Sequence, residues 1–230
     1  WIHTISTGVD HVVFPFLVES DLVLTNARGV YDRSVAEMVL AYMFLIVKEL
    51  PQFLRLQADH CWRKASLREM EGLTVGLVGF GGIGRQVAAW ARPLGMRVVA
   101  LRRHPERESP LADLVVPPDR LPELLAQSDF VVVALPFTPQ TRHLIDARAL
   151  AACKPGAWLI NVARGGLVSE ADLLRALQEG RLGGACLDVY EEEPLPKHSP
   201  LWELPNVILT PHTSGLSPRL HERSAELFLE

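Results

Sequence analysis

The chain has 230 residues, 48% of them hydrophobic and 22% charged, with a formal net charge of −4 at pH 7. That length suits one large core or two modest ones, and no apolar run approaches the roughly 18 to 20 residues of a membrane span, since "MVLAYMFLIV" is closed by Lys48 and Glu49. An acidic balance without a basic run excludes a nucleic-acid footprint but leaves small anionic ligands open, because those need only local charge.

In chain order, "WIHTIST" reads as a strand that begins at Trp1, with no leader before it. Over 34–62 apolar residues recur at helical spacing, and Pro51 is expected to kink or divide that helix. Its apolar coverage is too wide for one buried stripe. Burial on two sides follows, against the core or against a second subunit.

Short apolar strands are then expected at 73–80, 96–101, 114–116, 130–135, 157–162, 184–189 and 206–210. Helices fit between them at "IGRQVAAWARPLG", "RLPELLAQ", "DARALAAC" and "SEADLLRALQEG". Strands apolar on both faces and alternating with helices predict an α/β fold, a doubly wound parallel sheet. The last helix, "PRLHERSAELFLE", stops without a cap, and the chain reads as an internal piece of a longer product. Cys61, Cys153 and Cys186 have neither metal nor disulfide spacing and read as reduced packing residues of a cytoplasmic protein.

Between the first strand and helix of the alternating unit lies "GFGGIG", which matches G-x-G-x-x-G at Gly79, Gly81 and Gly84. The first glycine permits a tight turn, the second lets backbone amides approach a pyrophosphate, and the third lets helix pack on strand. An NAD site usually has an acid about 20 residues further on. Here the strand ends in Arg102, Arg103 and His104, and two guanidinium groups suit a 2′-phosphate, so NADP is favoured over NAD. The competing readings are a solvated basic turn, or Glu106 or Glu108 as the ribose ligand.

Three strand-end segments carry polar groups to the carboxyl edge of such a sheet: Arg164 in "NVARGG", Glu193 in "DVYEEEP" and His212 in "TPHTSG". An arginine grips a carboxylate bidentately, and a carboxylate behind a histidine favours its protonated form. Together these are the parts needed to reduce a 2-keto acid. Arg164 holds the carboxylate and polarises the carbonyl, the nicotinamide delivers hydride, and His212, oriented by Glu193, gives the proton. Singly, each has a bland alternative as a surface ion pair, a solvated acid or a loop cap.

Over nearly its whole length the chain resembles the D-isomer-specific 2-hydroxyacid dehydrogenases. The resemblance is carried by "GLVGFGGIGRQVA", "LPFTPQTRHLI", "NVARGGLVSEADLLRAL", "CLDVYEEEPLP" and "NVILTPHTSG". It implies that the catalytic arginine, glutamate and histidine fall on Arg164, Glu193 and His212, with Glu193 chosen because the family's acid directly precedes the proline. It further implies cofactor contacts at the glycine loop, Gly79, Gly81, Gly82, Ile83 and Gly84, and at Leu135, Pro136, Thr138, Val162, Ala163 and Gly215, with Asp188 reaching the nicotinamide amide; Arg102, expected with Arg103 to meet the cofactor, departs from the family in standing where NAD-preferring relatives carry an acid. "STGVDH" resembles the substrate-carboxylate loop, with amides near Thr7 and Gly8, and "TNARGVYDRSVAE" the crossing between domains.

Residues 1–33 are accordingly expected to be a remnant of the substrate domain, 34–215 the dinucleotide-binding domain, and 216–230 the start of a returning helix. The resemblance also implies a homodimer formed through the helix near Ser34. Substrates expected are small 2-keto acids such as glyoxylate or hydroxypyruvate. Phosphite or phosphoglycerate oxidation and a corepressor-type regulatory role are the alternatives. A glutamate at 193, where the formate-oxidising branch has glutamine, argues against formate. Family members normally carry further residues before the counterpart of Trp1 and after that of Glu230.

Overall fold

The computed structural model describes residues 1–10, 12–106 and 109–229. His11, Glu108 and Glu230, which fall within the loop, ribose-ligand and last-helix expectations, lie outside the described residues. The amino-terminal segment forms a two-stranded parallel sheet of β1 (Ile2–Thr4) and β2 (Leu24–Asn26), joined through the short α1 (Pro15–Val18). Two helices follow, α2 (Asp32–Val47) and α3 (Leu50–Ala58).

The remainder alternates strand and helix: β3 (Thr74–Val78), α4 (Gly82–Ala91), β4 (Arg97–Leu101), β5 (Leu114–Val116), α5 (Leu121–Gln127) and β6 (Phe130–Val133). Then come α6 (Ala147–Ala152), β7 (Trp158–Asn161), α7 (Glu170–Gln178), β8 (Gly184–Leu187), β9 (Val207–Leu209) and α8 (Leu220–Leu229). Seven strands, all parallel, lie in the order β5-β4-β3-β6-β7-β8-β9. The chain winds outward from β3 to β5, returns, and winds the other way from β6, so the switch point lies between β3 and β6. In open sheets of this type ligands bind outside the carboxyl ends of the strands at that point.

The period of two along each strand sorts the core into two layers. Val78, Val99, Leu101, Val131, Val133 and Leu159 face α5, α6 and α7, where Leu124, Leu150 and Leu173 meet them. Val75, Leu77, Val98, Ala100, Phe130 and Val132 face the other way, onto α2 and α4 through Val39, Met43, Val87 and Ala88. Side-chain caps start two of the helices. Asp146 accepts from the Ala149 amide at 2.9 Å and Ser169 from the Asp172 amide at 3.4 Å, each contact stabilising its helix by about 1 kcal/mol.

The expected kink at Pro51 is displaced. The break falls at Lys48 and Glu49, the latter in the left-handed region at φ 50°, and Pro51 sits in the first turn of α3. A proline is tolerated there because the amide it lacks has no helical partner anyway. The first helix also starts at Asp32, two residues before Ser34, and the second ends at Ala58. The helix expected over 83–95 ends at Ala91, passes into a 3₁₀ turn and closes on Gly95 at φ 76°. No helix among the described residues is long and apolar enough to cross a membrane.

Candidate active site

The glycine loop joins β3 to α4 at the switch point. Gly79 has φ 112°, and a side chain there would strike the Ala134 carbonyl; a side chain at Gly84 would strike the Gly79 carbonyl. These two positions therefore need glycine for the turn and for close approach. Open space surrounds Gly81, the residue before α4, and no side chain caps that helix. The space beside Gly81 at the positive end of the helix is thus open, a setting that fits a pyrophosphate, although the Asp32 carboxylate stands against Gly82 in the first turn. Ile83 packs into the layer beneath. Asp32, at the head of α2, touches Gly82, and burial raises its carboxyl above the usual range although Arg28 partly offsets the shift.

Arg102 and Arg103 follow β4. The Arg102 amide continues the ladder to the Val116 carbonyl at 3.1 Å, and its Nε donates to the His104 carbonyl at 2.7 Å. Glu106 lies 3.3 Å from His104 Nδ1. After β6, Leu135 and Pro136 enter a turn in which Thr141 Oγ1 accepts from the Thr138 amide at 2.8 Å and donates to the Pro136 carbonyl at 2.9 Å. Val162 is buried after β7, and Gly215 accepts from Ser34 Oγ at 3.2 Å.

Arg164 leaves the end of β7 through a loop that Asn161, 1% exposed, holds from within. Asn161 Nδ2 donates to the Arg164 carbonyl at 2.9 Å, and its Oδ1 accepts from the Ala163 amide at 3.2 Å. The guanidinium donates through Nη1 to the Ala163 carbonyl at 2.8 Å and through Nε to both oxygens of Asp10 at 3.2 Å. A side chain at Gly8 would collide with Arg164 Nη2, and one at Gly165 with the Tyr190 carbonyl. Both glycines are thus what admits the arginine and its loop. Thr7 turns its hydroxyl away, donating to the Ala27 carbonyl at 3.0 Å.

Glu193 follows β8 and His212 follows β9. Glu193 Oε2 lies 2.7 Å from His212 Nδ1, while its Oε1 accepts from the Tyr190 amide at 3.0 Å. The neighbouring Glu191 is committed elsewhere, accepting from the Glu170 amide at 3.0 Å and facing His143 Nε2 at 3.2 Å. Asp188, fully buried, accepts from Thr210 Oγ1 and from the amides of Thr213 and Ser214, both at 2.9 Å.

One cavity of about 680 Å³ gathers Arg164, Glu193 and His212, with Ser6 and Asp10 on its amino-terminal wall. His212 presents its Nδ1 edge to the glutamate, so Nε2 is the nitrogen left for a ligand. A fixed cation, a nitrogen able to give or take a proton, and a carboxylate holding that ring stand around one space, beside a dinucleotide loop. That set can bind an organic acid and exchange a proton at the neighbouring carbon's oxygen. Among the described residues no group of three or more His, Cys, Asp or Glu is placed to hold a metal ion.

Sequence reasoning missed Asp10 as the partner of Arg164, Asn161 as the brace of its loop, and the bonds of Asp188 to the histidine turn. Asn161 left a trace: a polar amide closing the apolar run "AWLI". Asp10 left none, being 154 residues away from its partner in sequence.

A doubly wound parallel sheet with a glycine-rich switch-point loop and these three groups defines a nicotinamide-dependent oxidoreductase. The family signature described as "D-isomer specific 2-hydroxyacid dehydrogenase, NAD binding domain" matches residues 40–214. The chain belongs to the D-isomer specific 2-hydroxyacid dehydrogenases, NAD(P)-dependent enzymes that act on the CH–OH group.

It is 40% identical over 225 residues to an (S)-sulfolactate dehydrogenase of Chromohalobacter salexigens, covering 95% of this chain and 72% of that protein. It is 34% identical to a D-3-phosphoglycerate dehydrogenase of Methanocaldococcus jannaschii, of which it spans 43%, with 97% of this chain covered. Among solved structures, the NADPH-dependent glyoxylate/hydroxypyruvate reductase of Sinorhizobium meliloti in complex with NADP and sulfate superposes with a TM-score of 0.87 at 31% identity, covering 98% of this chain and 72% of that one.

Proposed function

We propose that this protein reduces small 2-keto acids to D-2-hydroxy acids with NADPH in preference to NADH, glyoxylate and hydroxypyruvate being the substrates favoured. The observation that carries the reading is the 2.7 Å pair of His212 and Glu193 in the same cavity as Arg164. In this reading the Arg164 guanidinium holds the substrate carboxylate and polarises the adjacent carbonyl. Bound nicotinamide supplies hydride to the carbonyl carbon. His212 gives the Nε2 proton to the new alkoxide, while Glu193 fixes the ring at Nδ1 and compensates its positive charge. The loop amides near Thr7 and Gly8 complete the carboxylate site.

Gly79, Gly81, Gly82, Ile83 and Gly84 are assigned to the pyrophosphate turn, and Arg102 with Arg103 to a 2′-phosphate. Leu135, Pro136, Thr138, Val162, Ala163 and Gly215 are assigned to the walls around the rest of the cofactor. Asp188 is assigned to the nicotinamide amide on the resemblance alone, because in this structure its carboxylate is fully buried and bonded to the histidine turn. The reading extends to a cytoplasmic homodimer. The helix near Ser34, α2, on which pairing is expected, buries Val35, Val39, Met43 and Val47 within its own chain; support for pairing comes from the latter part of the expected 34–62 helix, α3, which buries none of its side chains and exposes Leu50 and Leu54 by 42% and 63%. Residues 1–33 are then part of the substrate domain, 34–215 the dinucleotide domain, and 216–230 the returning helix.

The test is oxidation of NADPH and NADH by the full-length protein against glyoxylate, hydroxypyruvate, pyruvate, sulfopyruvate and 3-phosphohydroxypyruvate. Fastest turnover of glyoxylate or hydroxypyruvate with NADPH supports the whole reading, and NADH preference overturns the cofactor assignment alone. Fastest turnover of either acid with a second anionic group replaces the substrate. Tight nucleotide binding without turnover of any of them favours the corepressor-type reading instead.

A further inference from the structure

The turn that carries His212 is tied to the core by a line of hydroxyls that the reaction just described does not use. Tyr42 on α2 is 1% exposed, and its hydroxyl lies 2.5 Å from Thr210 Oγ1. Thr210 Oγ1 lies 2.5 Å from Asp188 Oδ1. An ionised carboxylate only accepts, and a threonine hydroxyl has one proton. That proton therefore goes to Asp188, and Tyr42 must donate to Thr210. Burial pushes the Tyr42 phenol well above its ordinary range, so it keeps its proton across the working pH range.

From Asp188 the tie reaches the two residues after the histidine. The amides of Thr213 and Ser214 both donate to its carboxylate, at 2.9 Å. The Tyr190 hydroxyl lies 2.8 Å from the Thr210 carbonyl as well, sharing its one proton between it and the Leu187 carbonyl at 2.9 Å. Between these anchors His212 stands at φ 50°, in the left-handed region that non-glycine residues rarely adopt. Such a backbone persists only where its surroundings fix it. The residues on both sides of His212 are fixed through one buried acid, and Tyr42 and Thr210 fix that acid in turn.

We propose that Tyr42 and Thr210 are positioning residues for His212, acting through Asp188 to hold the left-handed turn that presents the imidazole to Glu193 and to the cavity. This rests on the reading of His212 as the proton donor. The line also joins α2, which follows directly on the amino-terminal segment, to a loop 168 residues later in the chain.

The experiment compares Tyr42→Phe, Thr210→Val and Thr210→Ser with the wild type in the full-length protein, by steady-state kinetics with the best keto acid and by amide hydrogen exchange. Thr210→Val is expected to speed exchange at Thr213 and Ser214 at least tenfold while leaving Val131 and Val132 in β6 unchanged. It is expected to lower kcat about tenfold with the KM values for keto acid and cofactor within twofold. Tyr42→Phe is expected to lower kcat severalfold in the same pattern, and Thr210→Ser to recover most of the rate lost in Thr210→Val. Unchanged exchange at Thr213 and Ser214 overturns the tether, and faster exchange with unchanged kcat, or rate loss that serine does not recover, reduces it to a packing role. A wild type that turns over no keto acid defeats the functional reading separately, while the exchange data still decide whether the tether exists.

Discussion

Glu193 Oε2 stands 2.7 Å from His212 Nδ1, whereas the adjacent Glu191 is turned to the Glu170 amide and His143. In a run of three glutamates, only the one before Pro194 holds the ring. Substituting Glu193→Gln keeps a hydrogen-bonding group but removes the charge. Since positioned acid–base catalysis contributes roughly 10²–10⁴-fold, kcat is expected to fall on the order of tenfold to a hundredfold. Glu192→Gln is expected to stay within about twofold. Steady-state rates of the two variants side by side check the assignment, and equal losses would defeat it.

Arg164 carries the organic acid in the proposed reaction, and its guanidinium bonds to Asp10 and the Ala163 carbonyl. Arg164→Ala should lower kcat/KM by about 10²–10³-fold, the equivalent of losing a charge-assisted pair that bound substrate and cofactor would desolvate. Nucleotide affinity should stay within about twofold. Fluorescence titration with NADPH alongside kinetics separates the two effects, and lost nucleotide affinity would refute the role.

The basic turn after β4 is the ground for preferring NADPH. Arg102→Ala combined with Arg103→Ala should raise the KM for NADPH at least about tenfold, because an exposed phosphate contact is charge-assisted. The KM for NADH should hardly move. A parallel rise for both cofactors would make the turn a general anion patch.

At the β4–β5 edge, Asp113 accepts from the Val98 amide at 2.8 Å and pairs with Arg92 at 2.7 Å. Slight burial acts to raise its carboxyl, but the backbone bond and the two arginines, Arg92 and Arg97, outweigh it and hold the group below the usual range. The folded form therefore binds the proton less readily than the unfolded chain. The resulting stability is complete above the unfolded value of about 3.9 and is lost as pH falls through the folded value. The pair is more than a third exposed, so solvent screening keeps the effect under about 1 kcal/mol. Asp113→Asn should flatten the fall of Tm between neutral and strongly acid pH; an unchanged slope would assign acid sensitivity elsewhere.

The three cysteines should separate by reactivity. Cys61 is exposed, whereas burial pushes the Cys153 thiol up to about 11 and raises Cys186 further. A thiol reagent at about pH 8 should label one group in the native protein and all three after denaturation. Labelling of more than one in the native state would show the inner layers opening.

Much of this was readable in advance because it is local. Strand and helix alternate with apolar periods that survive in "TVGLV" and "FVVV", and turn and cap residues mark the boundaries. Strands were expected to run one or two residues too far at their carboxyl ends, as at Ala134, Leu135 and Val162. Those residues are apolar like strand residues, yet they leave the ladder to build the ligand edge. That Arg164, Glu193 and His212 would meet at one edge was legible for the same reason, each following a strand of the sheet. The braces of the site were not, because Arg164 meets Asp10 across 154 residues and Tyr42 meets Thr210 across 168. No periodicity encodes a pairing at that distance.

Asp10 gives the cavity one more property. With its carboxylate against the Arg164 guanidinium, the protein carries its own surrogate for the acid it is proposed to bind. A substrate carboxylate arriving there exchanges one anion for another, so affinity measures the difference between two ion pairs and not the strength of one. Occupancy becomes a contest, in which a small inorganic anion at high concentration is a rival to both.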